Sequence, residues 1–294
     1  MYRRNVLHKW TLFTLIGVFL FALALPATVS ADAVVGETVV TLGQDLTPQQ
    51  KEDILQEMDV SDDVKQITVT NEEEHKYLGG YLSKATIGTR ALSSAKITLA
   101  KKGTGIKVQT HNITTINEQM YANALITAGV KDAEVYVTAP TQVSGTAGLT
   151  GMLKAFEEAT GKNISEDQKQ VANEEMVRTS ELGEKVGDEK AAEFMTRVKE
   201  EVAKQKPDSP EEVKQIVINI AGDLNIDLSN QETKQITNLM YKFSELNLDW
   251  DSFTDQLNQL KDKFNINTEE AQGFFDKVWK WFSDLFDWIR GLFS

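Results

Sequence analysis

The chain has 294 residues, 41% hydrophobic and 26% charged, with a formal net charge of −13 and no cysteine. Such a composition supports a folded, water-compatible body, and the length suits two domains. The negative charge argues against nucleic acid, whose binding rests on neutralising phosphates with Lys and Arg, and the lack of cysteine removes disulfides, thiol nucleophiles and Cys-ligated metals.

The first element is a leader. Arg3, Arg4 and Lys9 form a basic start, Thr11–Leu25 an apolar stretch, and Pro26 with Val29-Ser30-Ala31 a break with the small residues of a cleavage site. Residues 1–31 are expected to be a signal peptide cut near Ala31, so the product is expected outside the cytoplasmic membrane, secreted or envelope-associated. The apolar stretch falls short of the ~20 residues a membrane span needs. The leader holds bases and no acids, so its loss leaves a more acidic protein.

Short β-type and helical runs then alternate. ETVVTLG (Glu37–Gly43) reads as a strand, and LTPQQKEDILQEM as a helix capped by Thr47 with Pro48 at its first position. VKQITVT is a second strand. NEEEHKYLGGYLS reads as a helix with Asn71 as its cap and three glutamates at its positive end. KITLAKKGTGIKVQTHNI predicts two strands turning at Gly103-Thr104-Gly105, NEQMYANALITAG a helix, and AEVYVTAP a strand ended by Pro140. This interleaving predicts an α+β (or α/β) N-terminal domain over residues 32–145.

From residue 146 helical periodicity takes over, and residues 146–266 are expected to form an all-α helical domain of five or six helices. Ser165 precedes an acidic first turn, while Ser209-x-x-Glu212 and Ser229-x-x-Glu232 are capping boxes. KQKPDSP (Lys204–Pro210) reads as an interhelical loop. Residues 267–294 are expected to form a C-terminal amphipathic helix, opened by Thr268-Glu269-Glu270.

Few motifs carry chemistry. Asp223-x-Asn225-x-Asp227 and Asn247-x-Asp249-x-Asp251 begin like calcium loops but lack the glycine at position six and the glutamate at position twelve, so both read as capping loops. His75 and His111 are the two histidines beyond the leader, at no metal-ligand spacing, and a solvated or structural role is expected for each. No metal and no cofactor are expected. The segment Val143–Gly151 follows a strand and leads into a helix, where backbone N–H groups can meet an anion. It lacks the P-loop lysine, Met152 standing there. Ser144, Gly145, Thr146, Gly148, Thr150 and Gly151 form a candidate loop, with small residues for close strand–helix packing as the simpler reading.

This region also carries a resemblance. Met120-Tyr121-Ala122-Asn123-Ala124-Leu125, Thr127-Ala128-Gly129, and Ala139-Pro140 followed by Val143-Ser144-Gly145-Thr146-Ala147 resemble the signature block of the YpuA-like secreted proteins of Gram-positive bacteria, the domain of unknown function 1002 family. The resemblance spans nearly the whole chain beyond the leader. It implies an envelope or extracellular location and supplies no activity.

The closing segment FFDKVWKWFSDLFDWIRGLFS sorts cleanly on a helical wheel. Phe274, Phe275, Val278, Trp279, Trp281, Phe282, Leu285, Phe286, Trp288, Ile289, Leu292 and Phe293 fill one half, and the charged and small residues fill the other. Asp276, Asp284 and Asp287 argue against a span, at about 2.5–3.5 kcal/mol each on insertion scales. Trp and Phe suit a helix lying in a membrane interface, and burying half of the twelve side chains is worth around 9 kcal/mol gross. The expected partner is a membrane interface or an apolar protein groove, on this chain, a second copy or another protein. The leading expectation is a non-enzymatic, exported envelope protein attached through this helix. The alternatives are an envelope hydrolase with its site at Ser144–Gly151, or an extracellular partner-binding module.

Overall fold

The computed structural model describes residues 34–61 and 63–264. The expected signal peptide and C-terminal amphipathic helix lie outside the described residues. Those described belong to one compact unit, a mixed sheet in the first half followed by a run of helices. Five strands, β1 (Thr38–Gly43), β2 (Lys65–Val69), β3 (Ser94–Leu99), β4 (Ile106–Thr110) and β5 (Ala133–Thr138), line up in the order β2-β1-β3-β5-β4. β1 and β2 are parallel, as are β4 and β5, while β3 runs antiparallel to both of its neighbours, β1 and β5.

Two crossovers flank the reversed central strand. Helix α1 (Pro48–Glu57) links β1 to β2, and α4 (Glu118–Thr127) links β4 to β5. Between them lie α2 (Asn71–Leu78) and the short α3 (Lys84–Ile87). β3 and β4 do not form the expected hairpin, because β5 lies between them. The Gly103–Gly105 turn is fastened to the start of β5 instead: Asp132 Oδ1 accepts from the amides of Gly103 and Gly105, each at 2.9 Å. Both glycines have positive φ, which costs least without a Cβ.

The helical half comprises α5 (Gly148–Thr160), α6 (Glu166–Val186), α7 (Asp188–Gln205), α8 (Pro210–Asp223), α9 (Asn230–Ser244) and α10 (Trp250–Phe264). Its starts follow local chemistry. Thr47, Ser165 and Ser229 close full capping boxes with Gln50, Gln168 and Glu232. Ser209 caps α8, but the Glu212 carboxylate returns to the amide of Asp208, one residue early. The cap of α2 is Thr70 and not Asn71: its hydroxyl accepts from Glu73 N, and Glu73 bonds back to Thr70 N. Asn71 already has helical geometry as the first residue of α2.

Among the described residues, α1 is the helix that covers one face of the sheet, through Val40, Leu42, Leu46, Ile54 and Met58. The other carries the main core. There α5 lies across β1 and β3, α4 lies on β4, and α6 and α7 pack behind α4. A single apolar cluster runs from Val39, Ile97 and Val137 through Leu149 and Phe156 to Phe194 and Phe243. The change of character near residue 146 is therefore not a break in the core. Among the described residues no helix is long and apolar enough to cross a membrane.

Candidate functional site

The structure brings the six residues of the candidate loop together, five of them buried and Ser144 half-buried. The Gly145 carbonyl, at a residue with φ of 91°, accepts from the Tyr121 hydroxyl. The Ser144 carbonyl accepts from the amides of Thr115 and Ile116 at 3.3 and 3.1 Å. A Cβ at Gly148 would lie 2.6 Å from Tyr121 Oη and 3.0 Å from Val137, and one at Gly151 would lie 2.7 Å from Thr41 Oγ1. Thr146 and Thr150 are buried, and Ser144 Oγ meets Thr146 Oγ1 at 3.3 Å. The Gly148 amide is spent on the Gly145 carbonyl. The segment is thus the seam on which α5 settles against the sheet; the Ser144 and Thr146 hydroxyls face each other, the buried Thr150 hydroxyl has no hydrogen-bond partner, and no acid or histidine is bonded to any of the three among the described residues.

A different constellation lies on the side of the sheet that carries α1. Glu57 Oε1, at the end of α1, is 2.8 Å from Tyr136 Oη of β5 and 2.8 Å from His111 Nδ1, just past β4; Thr138 Oγ1 is 3.5 Å from the same nitrogen. Burial pushes the Glu57 carboxyl up, but hydrogen bonds from Tyr136, Thr138 and His111 outweigh it and hold it below the usual range. Burial and the neighbouring carboxylate push the Tyr136 phenol up to about 12. With its proton on Nδ1, His111 donates to Glu57, which fixes ring and tautomer and leaves Nε2 toward solvent on an exposed residue. Fifty-four positions separate the two partners. Chain spacing holds no trace of the pair, and the one available signal was a lone histidine closing a strand.

The sequence block that carries the family resemblance has another use. Gln119–Thr127 of α4 are all buried, so this helix is the axle of the molecule. On it, the Lys199 ammonium meets Glu175 Oε1 at 2.7 Å, the Asn123 carbonyl at 3.0 Å and Thr127 Oγ1 at 3.1 Å, and both charged side chains are essentially inaccessible. Asn123 also bonds Thr196 Oγ1 at 2.8 Å. Burial pushes the Glu175 carboxyl up against the pull of Lys199, and burial pushes the Lys199 ammonium down against the pull of Glu175. This network joins α4 to α6 and α7 and opens to no surface.

The two sequences that begin like calcium loops do connect helices. Asp249 Oδ1 accepts from Ser252 N at 3.2 Å and so starts α10, and Asn225 takes positive φ after α8. Among the described residues, grooves of about 140, 180 and 290 Å³ open between helices, and these are not lined by His111 or the Ser144–Gly151 segment.

Comparison with known proteins agrees with the sequence resemblance. Residues 42–260 match the family model described as "Protein of unknown function (DUF1002)". The chain belongs to the DUF1002 family. It is 48% identical over 275 residues to the uncharacterized protein YpuA of Bacillus subtilis (strain 168), covering 92% of this chain and 95% of that protein. No solved structure matches it. The DUF1002 match holds the Glu57–His111 pair, the seam at Ser144–Gly151 and the buried Lys199–Glu175 pair alike. Residues 1–31 and 267–294 fall outside it.

Proposed function

We propose that this DUF1002 protein is exported and non-enzymatic, a folded body held at a membrane surface by its C-terminal amphipathic segment. The observation that carries the reading is the sequence of residues 274–293, whose apolar side chains fill one half of a helical wheel without exception and are mostly aromatic. The described surface supports it. Among the described residues the large apolar side chains that stand exposed are Val34, Val35 and Ile218, which is little for a twelve-residue apolar face to dock upon. The leader sequence supports export.

Cell fractionation tests the proposal with the full chain and a form ending at residue 268. The full chain is expected with the membrane and the shortened form in the medium. Equal recovery of both in the medium would refute attachment.

A further inference from the structure

The groove of about 290 Å³ lies where the ends of α7 and α9 meet the start of α10, and its apolar lining includes Pro207, Tyr241 and Trp250. The Trp250 ring is fixed by edge-to-face contacts with two buried rings, Phe243 at 5.4 Å and Phe253 at 5.7 Å between centroids. This wall is therefore set before anything binds.

Three charged residues line the same groove: Lys206, Asp208 and Glu245. All three are exposed, and none makes an ion pair among the described residues. Their neighbours are occupied: Lys204 pairs with Glu200 at 2.9 Å, Lys242 with Glu174 at 2.8 Å, and Glu212 accepts from the Asp208 amide at 3.0 Å. Lys206 and Asp208 flank Pro207, whose ring restricts the backbone between them. Lys206 ends α7 at a φ of 49°, a place that glycine fills at lower cost, and the lysine there supplies the groove with an ammonium. The charge of Glu245, with that of Asp208 adding to it, pushes the Tyr241 phenol up, so both carboxylates lie near that hydroxyl.

We infer that this groove binds a free α-amino acid with an apolar side chain, its ammonium between Asp208 and Glu245, its carboxylate at Lys206 and its side chain against Trp250 and Tyr241. The inference is independent of the tethering proposed above. Two unpaired carboxylates against one ammonium disfavour phosphates and other polyanions, while a zwitterion meets both signs at once. The volume stands at the small end of the range for ligand pockets, which suits one such molecule. The aromatic and proline lining offers the side chain an apolar seat.

The test is a titration of the chain from Asp32 onward with L-phenylalanine, following the indole N–H resonance of Trp250. The parent is expected to bind with a Kd below about 1 mM. K206Q and D208N change exposed side chains, leave the core intact, and are each expected to weaken binding by about 10-fold or more, the worth of a hydrogen bond to a charged group. K214Q removes a lysine from an exposed position on α8 and is expected to bind like the parent. L-phenylalaninamide, whose carboxylate is masked, is expected to bind the parent about 10-fold more weakly and to be indifferent to K206Q. No shift of the Trp250 resonance up to about 10 mM L-phenylalanine would overturn the inference. So would parental binding by K206Q or D208N, an equal loss in K214Q, or an amide that binds as tightly as the amino acid.

Discussion

Glu74 on α2 is 1% exposed, and its Oε1 has no hydrogen-bond partner. Asn71 reaches the other oxygen at 3.3 Å. Burial, with the charges of Asp45 and Glu73 adding to it, pushes this carboxyl up to about 7 from 4.5. Its folded pKa lies above the unfolded one, so the stability it contributes is intact below pH 4.5 and is lost as pH rises through 7. Glu74→Gln removes the titration. The variant is expected to match the parent near pH 4.5 and to exceed it at pH 8, by up to about 3 kcal/mol, in urea unfolding at the two pH values. The Lys199–Glu175 pair makes the opposite case, a buried charge that has a partner. Lys199→Met strands the carboxylate and is expected to cost about 3–5 kcal/mol, while adding Glu175→Leu recovers much of the loss. A double-mutant cycle by chemical denaturation measures both.

Among the elements, the seating of α5 is a close joint, and two glycines separate packing from propensity. Gly148→Ala drives a methyl into Tyr121 and Val137 and is expected to destabilise by about 1–3 kcal/mol. Gly222→Ala, in the last turns of α8 with open space around it, is expected to stabilise by up to about 1 kcal/mol. Thermal melts of the two variants should therefore move in opposite directions. The elements themselves were largely legible, because caps such as Thr47, Ser165 and Ser229 act within four residues of chain. Strand pairing was not. Nothing in the Lys101–Gly105 turn reports that β5, some thirty residues later, comes between β3 and β4, since that placement is decided by Asp132 and the crossover helix α4. The choice of Thr70 over Asn71 as cap was hidden because both residue types cap well, and Glu73 selects the one three positions back. The Glu57–His111 cluster assembles from α1, β5 and the end of β4, three pieces brought together by topology, so only the seam at Ser144–Gly151, a contiguous run, could be flagged in advance.

Taken whole, the molecule tests whether the composition change near residue 146 marks separable domains. The sheet face formed by Val39, Ile97 and Val137 is covered by Leu149, Met152 and Phe156 of α5, and α4 is enclosed by α6, α7 and α10. A fragment of residues 34–145 would therefore expose that face and the outer side of α4 together, and Asn123 and Thr127 would lose Thr196, Glu175 and Lys199 as partners. Domains are usually stable by only about 5–15 kcal/mol, so the fragment has little reserve against such a loss. Residues 34–264 are expected to unfold in one calorimetric transition, with the van't Hoff and calorimetric enthalpies equal. The 34–145 fragment is expected to lack near-UV circular dichroism and dispersed amide resonances. A well-dispersed spectrum from that fragment would mean that α5 only rests on a domain already complete, and the halves would then be independent units joined at the seam. If the tether reading holds as well, the chain ending at residue 268 melts at the same temperature as the chain ending at Ser294, because the apolar face of the tail would then add nothing to the core.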